Sequence, residues 1–239
     1  NISANVLVQQ QVDIHANRSE LGGDSILSIQ IVSRANEDGF SLSPRHLFEY
    51  QPVAELAQVA GSQKTVAAEQ GPVTGEVPLT PVQQWFFAQE IPERHHFNLP
   101  MLLKLKKRVE PDILQQALQC VGDHHDALRL RFAEKDGRIR QFHAEPGEPI
   151  ALACFDVAAL SEEQQQAEMR QKMQDVQAGL DLEAGPLMRA ALFDVGEQQP
   201  QKLLWAIHHL VVDGVSWRIL LDDLQTALDA LSQNQTPQL

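Results

Sequence analysis

Residues 61–77, GSQKTVAAEQGPVTGEV, are small and polar and carry neither helical nor strand periodicity. A stretch of this kind reads as a linker. It separates a short leading segment from a longer trailing one, so the 239 residues have to be read as two units. The expected division is 1–61, a linker at 62–77, and 78–239.

The leading segment reads as helices. Asn5–Val12 is short, and a loop follows through Asp24. From Ser25 to Asp38 the apolar residues Ile26, Ile29, Val32 and Ala35 recur at helical spacing, and Gly39 ends the run. Ser43-Pro44 opens another turn through Tyr50. Pro52, at a first helical position, starts a last helix to Ala60. Such a segment is small for a lone stable core.

The trailing segment mixes elements. Met101–Leu105 is strand-like and Pro111 to about His125 is helical. Leu128–Phe132 alternates apolar and polar residues, Asp136-Gly137 follows, and Arg138–Phe142 alternates again, which predicts a hairpin. Ser161 begins a long polar helix to about Leu180. Leu187–Phe193 and Leu203–Ile207 are apolar strands joined by a polar loop, and Ser216–Leu231 is an amphipathic helix. The expectation is an α/β layered lobe with a mixed or antiparallel sheet, without internal repeats.

Charge and composition narrow the function. The net charge is −13, the opposite of a nucleic-acid footprint. Lys104, Lys106, Lys107 and Arg108 alternate with apolar residues and read as the solvent side of a strand. No apolar run approaches the ~20 residues needed to span a bilayer, so no membrane partner is expected, and no signal peptide opens the chain. Cys120 and Cys154 lack metal-ligand spacing, and a reduced, cytoplasmic setting fits them.

Leu21-Gly22-Gly23-Asp24-Ser25-Ile26-Leu27 lies at a loop-to-helix junction. One reading is a helix cap, with Asp24 or Ser25 accepting from free backbone N–H groups and the glycines allowing a tight turn. The other is attachment: a helix start tolerates the negative charge of a phosphodiester on an exposed hydroxyl. The run Glu20–Ile26 resembles the attachment motif of peptidyl carrier proteins in nonribosomal peptide synthetases. Leu47-Phe48-Glu49-Tyr50 and Pro52–Ala57 are similar to the end of that carrier. The resemblance implies a small four-helix-type carrier domain at 1–61 with 4′-phosphopantetheine on Ser25. Asp24 before the serine is similar to carriers that precede epimerization domains. Arg18 and Ser19 stand where the family has an aromatic pair, and the first helix and loop are short. The N-terminal part of the carrier is therefore expected to be incomplete.

The strongest constellation is His208-His209-Leu210-Val211-Val212-Asp213-Gly214-Val215-Ser216-Trp217-Arg218, between an apolar strand and a helix. Adjacent histidines can mark a metal site or a satisfied core. No further ligands at metal spacing accompany them, so no metal is expected. An imidazole suits general-base work near neutral pH. The run resembles the His-His-x-x-x-Asp-Gly signature of the condensation-domain superfamily, which is similar in fold to chloramphenicol acetyltransferase. Its continuation Val215–Leu221 looks like the epimerization branch. Pro78–Phe87 resembles that branch's opening motif, and His124-His125-Asp126-Ala127-Leu128-Arg129 its second. The resemblance implies that 78–239 is the N-terminal lobe of an epimerization or condensation-type domain. It implies a catalytic pair, His209 and His208, with His209 the base or acid and His208 and Trp217 supporting it. Asp213 would partner an arginine, with Arg129 the candidate.

The reaction implied is L-to-D epimerization of an aminoacyl or peptidyl thioester, with a base on one face and an acid on the other. The family's second group is a glutamate in the later half of the domain, so the fragment alone is expected to be a poor catalyst. Peptide-bond-forming condensation and a non-catalytic docking lobe that binds the carrier arm remain alternatives. Implied partners are an upstream adenylation domain, a downstream condensation domain and a phosphopantetheinyl transferase.

Overall fold

The structure, a computed structural model, describes residues 13, 15, 25–50, 52–61 and 71–239. The expected helix at Asn5–Val12, the Gly22-Gly23-Asp24 turn and most of the linker lie outside the described residues. The chain divides into two compact units, Asn1–Gln70 and Gly71–Leu239.

In the first unit α1 spans Ser25–Glu37, α2 Pro44–Glu49 and α3 Val53–Val59. Gly39, at φ 87°, turns the chain out of α1, in the left-handed conformation that glycine adopts without strain. Pro44 stands at the start of α2 behind Ser43, a position where its missing N–H costs nothing. Pro52 precedes α3 as its cap rather than as its first residue. Ile31, Val32, Leu47 and Leu56 form the core, with Leu27, Leu42, Tyr50 and Val59 packed around them. Gly61, expected at the edge of the linker, accepts a backbone bond from Ser41 at 3.1 Å and so belongs to this unit.

The second unit holds two sheets. In the smaller, β1 (Gly75–Val77), β4 (Arg138–His143) and β3 (Leu130–Lys135) run antiparallel in the order β1-β4-β3. In the larger the order is β2-β7-β6-β5, with β2 at Asn98–Lys104, β5 at Leu152–Asp156, β6 at Met188–Asp194 and β7 at Lys202–His208. All its pairs are antiparallel except β5 with β6. α4 (Pro81–Ala88), α5 (Pro111–His124), α6 (Glu162–Ala178) and α7 (Ser216–Ser232) complete the unit.

β7 is buried along nearly its whole length, so it reads as a continuous apolar run, as strands covered on both faces do. Leu203, Trp205 and Ile207 pack with Leu114, Leu118 and Val121 of α5 and Leu220 and Leu224 of α7. Leu204, on the other face, packs with Phe193 of β6 and Met169 and Val176 of α6. Burying each large apolar side chain stabilises the fold by about 1.5–3 kcal/mol.

The expected hairpin forms. Asp136 at φ 54° and Gly137 at φ 69° are both left-handed, as a two-residue turn matched to strand twist requires. Leu128 and Arg129, expected at its start, instead belong to a 3-10 turn, Asp126–Arg129. Gly75–Val77, expected within the linker, is strand β1, held to β4 by pairing and by the Glu76–Arg140 ion pair at 2.5 Å. Lys106, Lys107 and Arg108 lie beyond the end of β2 rather than on it. Arg108 pairs with Asp194. Cys120 and Cys154 are free thiols.

Candidate functional site

The site grows from the end of β7. Successive residues of a strand point to opposite faces, and the two histidines divide accordingly: His208 is fully buried and His209 is exposed. The β2–β7 ladder carries past His208, which sits opposite Asn98. His209 N–H donates to the Phe97 carbonyl at 2.9 Å.

His208 has both ring nitrogens committed to backbone. Nδ1 accepts from Leu210 N–H at 3.2 Å, so Nε2 carries the proton and donates to the Arg94 carbonyl at 2.8 Å. Phe86 meets the ring edge-on at 6.0 Å. Burial pushes its pKa from 6.5 down to about 4, against the opposing effect of the Arg94 bond, with His95 and His209 lowering it further. The ring is thus neutral at physiological pH and holds the chain on either side of it.

His209 is arranged the other way. Its Nδ1 lies 2.8 Å from the Val212 carbonyl. A carbonyl can only accept, so Nδ1 carries the proton and Nε2 keeps a free lone pair. The ring stacks on Phe97 with centroids 5.3 Å apart and planes 14° from parallel. An exposed imidazole with one nitrogen anchored and the other basic is the form a general base takes.

Asp213 closes the loop around His209. Its Oδ1 accepts from Val215 N–H at 3.0 Å, Ser216 N–H at 2.8 Å and Ser216 Oγ at 2.8 Å. The Ser216 bonds hold its carboxyl below the usual aspartate range, and His209 adds a smaller lowering. Asp213 therefore ties the loop to the first turn of α7. Arg129, the expected partner, is engaged elsewhere. It donates to Asp126 at 2.6 Å and to the carbonyls of Asp123, Val73 and Ala144. Those bonds join the end of α5 to the segment that leads into β1, which is why so buried a guanidinium is satisfied without Asp213. Trp217, 5% exposed, meets Trp205 edge-on at 5.1 Å and fixes α7 to the sheet.

Ser25 is the first residue of α1, and no acidic residue stands in that helix's first turn. The positive end of a helix dipole tolerates the negative charge of a phosphodiester. Phe97 and Arg94 escaped the sequence reading. Neither belongs to a motif, and Arg94 lies 114 residues from His208.

Comparison with known proteins places both units. The family described as "Condensation domain" matches residues 73–239, and "Phosphopantetheine attachment site" matches 5–60. A linear gramicidin synthase polypeptide of Brevibacillus parabrevis is 49% identical over 98% of this chain, which covers 4% of that protein. Chondramide synthase cmdD of Chondromyces crocatus is 46% identical over 98% of the chain, covering 6% of it. The chain thus spans only a few per cent of the length of these relatives. Among solved structures, the epimerization domain from the third module of tyrocidine synthetase B aligns with a TM-score of 0.67 and 38% identity. The alignment takes in 72% of this chain and 39% of that one. The starter condensation domain of rhizomide synthetase shares the fold at a TM-score of 0.59 and 23% identity, over 69% of this chain and 40% of its own.

Proposed function

The chain belongs to the condensation-domain superfamily of nonribosomal peptide synthetases and carries a phosphopantetheine attachment segment, and from that premise we propose that it epimerises a carrier-bound aminoacyl or peptidyl group from L to D. The observation that carries this reading is the 38% identity to an epimerization domain. The run Val215-Ser216-Trp217-Arg218 leans the same way.

The proposed division is a four-helix-type carrier at 1–61, a linker at 62–77, and at 78–239 the first lobe of a domain with the chloramphenicol acetyltransferase-like fold. Ser25 holds the 4′-phosphopantetheine. That group, when bound, presents the acyl chain as a thioester, whose carbonyl acidifies the α-hydrogen. His209 takes or returns the α-proton through Nε2, its orientation set by the Val212 carbonyl and the Phe97 ring. His208 supports the strand end without exchanging protons, and Asp213, Arg129 and Trp217 hold the loop, the domain entrance and α7. The proposed setting is cytoplasmic, with a phosphopantetheinyl transferase, an upstream adenylation domain and a downstream condensation domain as partners. Among the described residues no helix is long and apolar enough to cross a membrane.

The test uses the intact synthetase. An L-aminoacyl group is loaded on the carrier, released by hydrolysis and resolved by chiral chromatography. A substantial D fraction is expected. Unchanged L-enantiomer, with dipeptide formed only when a second loaded carrier is supplied, would establish condensation instead.

A further inference from the structure

A second group of titratable side chains stands where α5 meets α7, and none of the roles above uses it. His124 is the last residue of α5 and His125 its C-cap, while Asp223 lies on α7. Each offers one ligand atom, and the three atoms lie within 4.8 Å of one another. His125 Nε2 is 2.6 Å from Asp223 Oδ2. The rings of His124 and His125 meet edge-on at 4.9 Å. His125 and Asp223 are half-buried and His124 is exposed.

Two imidazoles and a carboxylate are the donor set of open zinc sites, which leave a fourth position to water or another ligand. With metal–ligand bonds of about 2.0–2.2 Å, tetrahedral donors stand about 3.3 Å apart. The close His125–Asp223 pair has only to open slightly, and the exposed His124 ring can swing in without disturbing the core. His125 also borders a cavity of about 160 Å³, shared with Ala127, Val211, Ser216 and Ile219. That gives an entry path and room for water on the open position. The net charge of −13 favours a cation.

We propose that His124, His125 and Asp223 bind one divalent transition-metal ion, such as zinc, which clamps the end of α5 to α7. His125 then presents its Nε2 lone pair to the ion while its ring proton sits on Nδ1, and Asp223 supplies a carboxylate oxygen. Nothing in chain spacing points to the site, because Asp223 lies 98 residues from His125.

The experiment is calorimetric titration of Zn²⁺ into the chelator-stripped intact protein, with Mg²⁺ as the comparison, followed by Co²⁺ absorption spectroscopy. One zinc per chain is expected, with Mg²⁺ binding far more weakly, and His125→Ala and Asp223→Asn each weakening zinc at least tenfold. His124→Ala, which removes an exposed side chain, is expected to keep the fold and to alter the visible Co²⁺ spectrum. Absence of saturable zinc binding, equal affinity for Mg²⁺, or binding and spectra unchanged in all three variants would overturn the proposal.

Discussion

His208 and His209 are adjacent in sequence and opposite in state. One donates through Nε2 from inside the core, and the other donates through Nδ1 at the surface and leaves Nε2 free. His209→Ala is therefore expected to lower the epimerization rate of the intact synthetase by about 10²–10⁴, the usual worth of a general acid or base, with little change in stability. His208 has the reverse profile. Between pH 6.5 and about 4 the unfolded chain takes up a proton that the folded ring refuses. Stability is then lost as pH falls through that window, by up to about 3 kcal/mol, and is unaffected by this group above it. Denaturant unfolding at stepped pH should show the loss, and His208→Gln should flatten it. An equal slope in the variant would refute the assignment. The pair was legible from sequence, because two histidines after an apolar strand and before Asp-Gly stand out. Their division of labour was not, since it depends on the Arg94 and Val212 carbonyls, which belong to no side-chain pattern. The Asp213–Arg129 pairing failed for a related reason. Arg129 is consumed by Asp126, three residues before it, and by three carbonyls, so each of its guanidinium nitrogens has another partner.

At the level of elements, strong local signals gave the right structure and weak ones did not. Asp136-Gly137 demanded left-handed backbone and produced the hairpin. β1 was hidden in a polar stretch because its pairing with β4 comes from residues more than sixty positions away, and an edge strand of three residues shows no alternation. β5 escaped as well. Its run Leu152–Phe155 is too short to mark a strand without its parallel partner β6. Tight backbone approach offers a test at this scale. Gly185 sits at φ 78°, and a Cβ there would lie 2.2 Å from the guanidinium carbon of Arg131. Arg131 is 5% exposed and bound to Glu148, Leu130 and Ala184. Gly185→Ala should destabilise the second unit by roughly 2–3 kcal/mol, combining left-handed strain with a displaced buried charge. Thermal unfolding checks it, and an unchanged melting temperature would contradict the packing.

For the molecule as a whole, the proposed reaction couples a carrier serine at the head of α1 with a base at the end of β7. The carrier half is tested by mass spectrometry. Treatment with coenzyme A and a phosphopantetheinyl transferase should add one arm per chain, and Ser25→Ala should abolish the gain. The two compact units meet at Gln70–Gly71, inside the stretch read as a linker, and the second unit already includes β1 at Gly75–Val77. The proposed role of His209 is exchange of the α-proton of the carried group. Its most direct measurement is turnover of the intact, L-loaded synthetase in D₂O, with the released amino acid analysed for both chirality and deuterium at the α-carbon. D-enantiomer carrying deuterium is expected, with loss of both in His209→Ala. Released L-enantiomer without deuterium, or an unchanged pattern in His209→Ala, would contradict it.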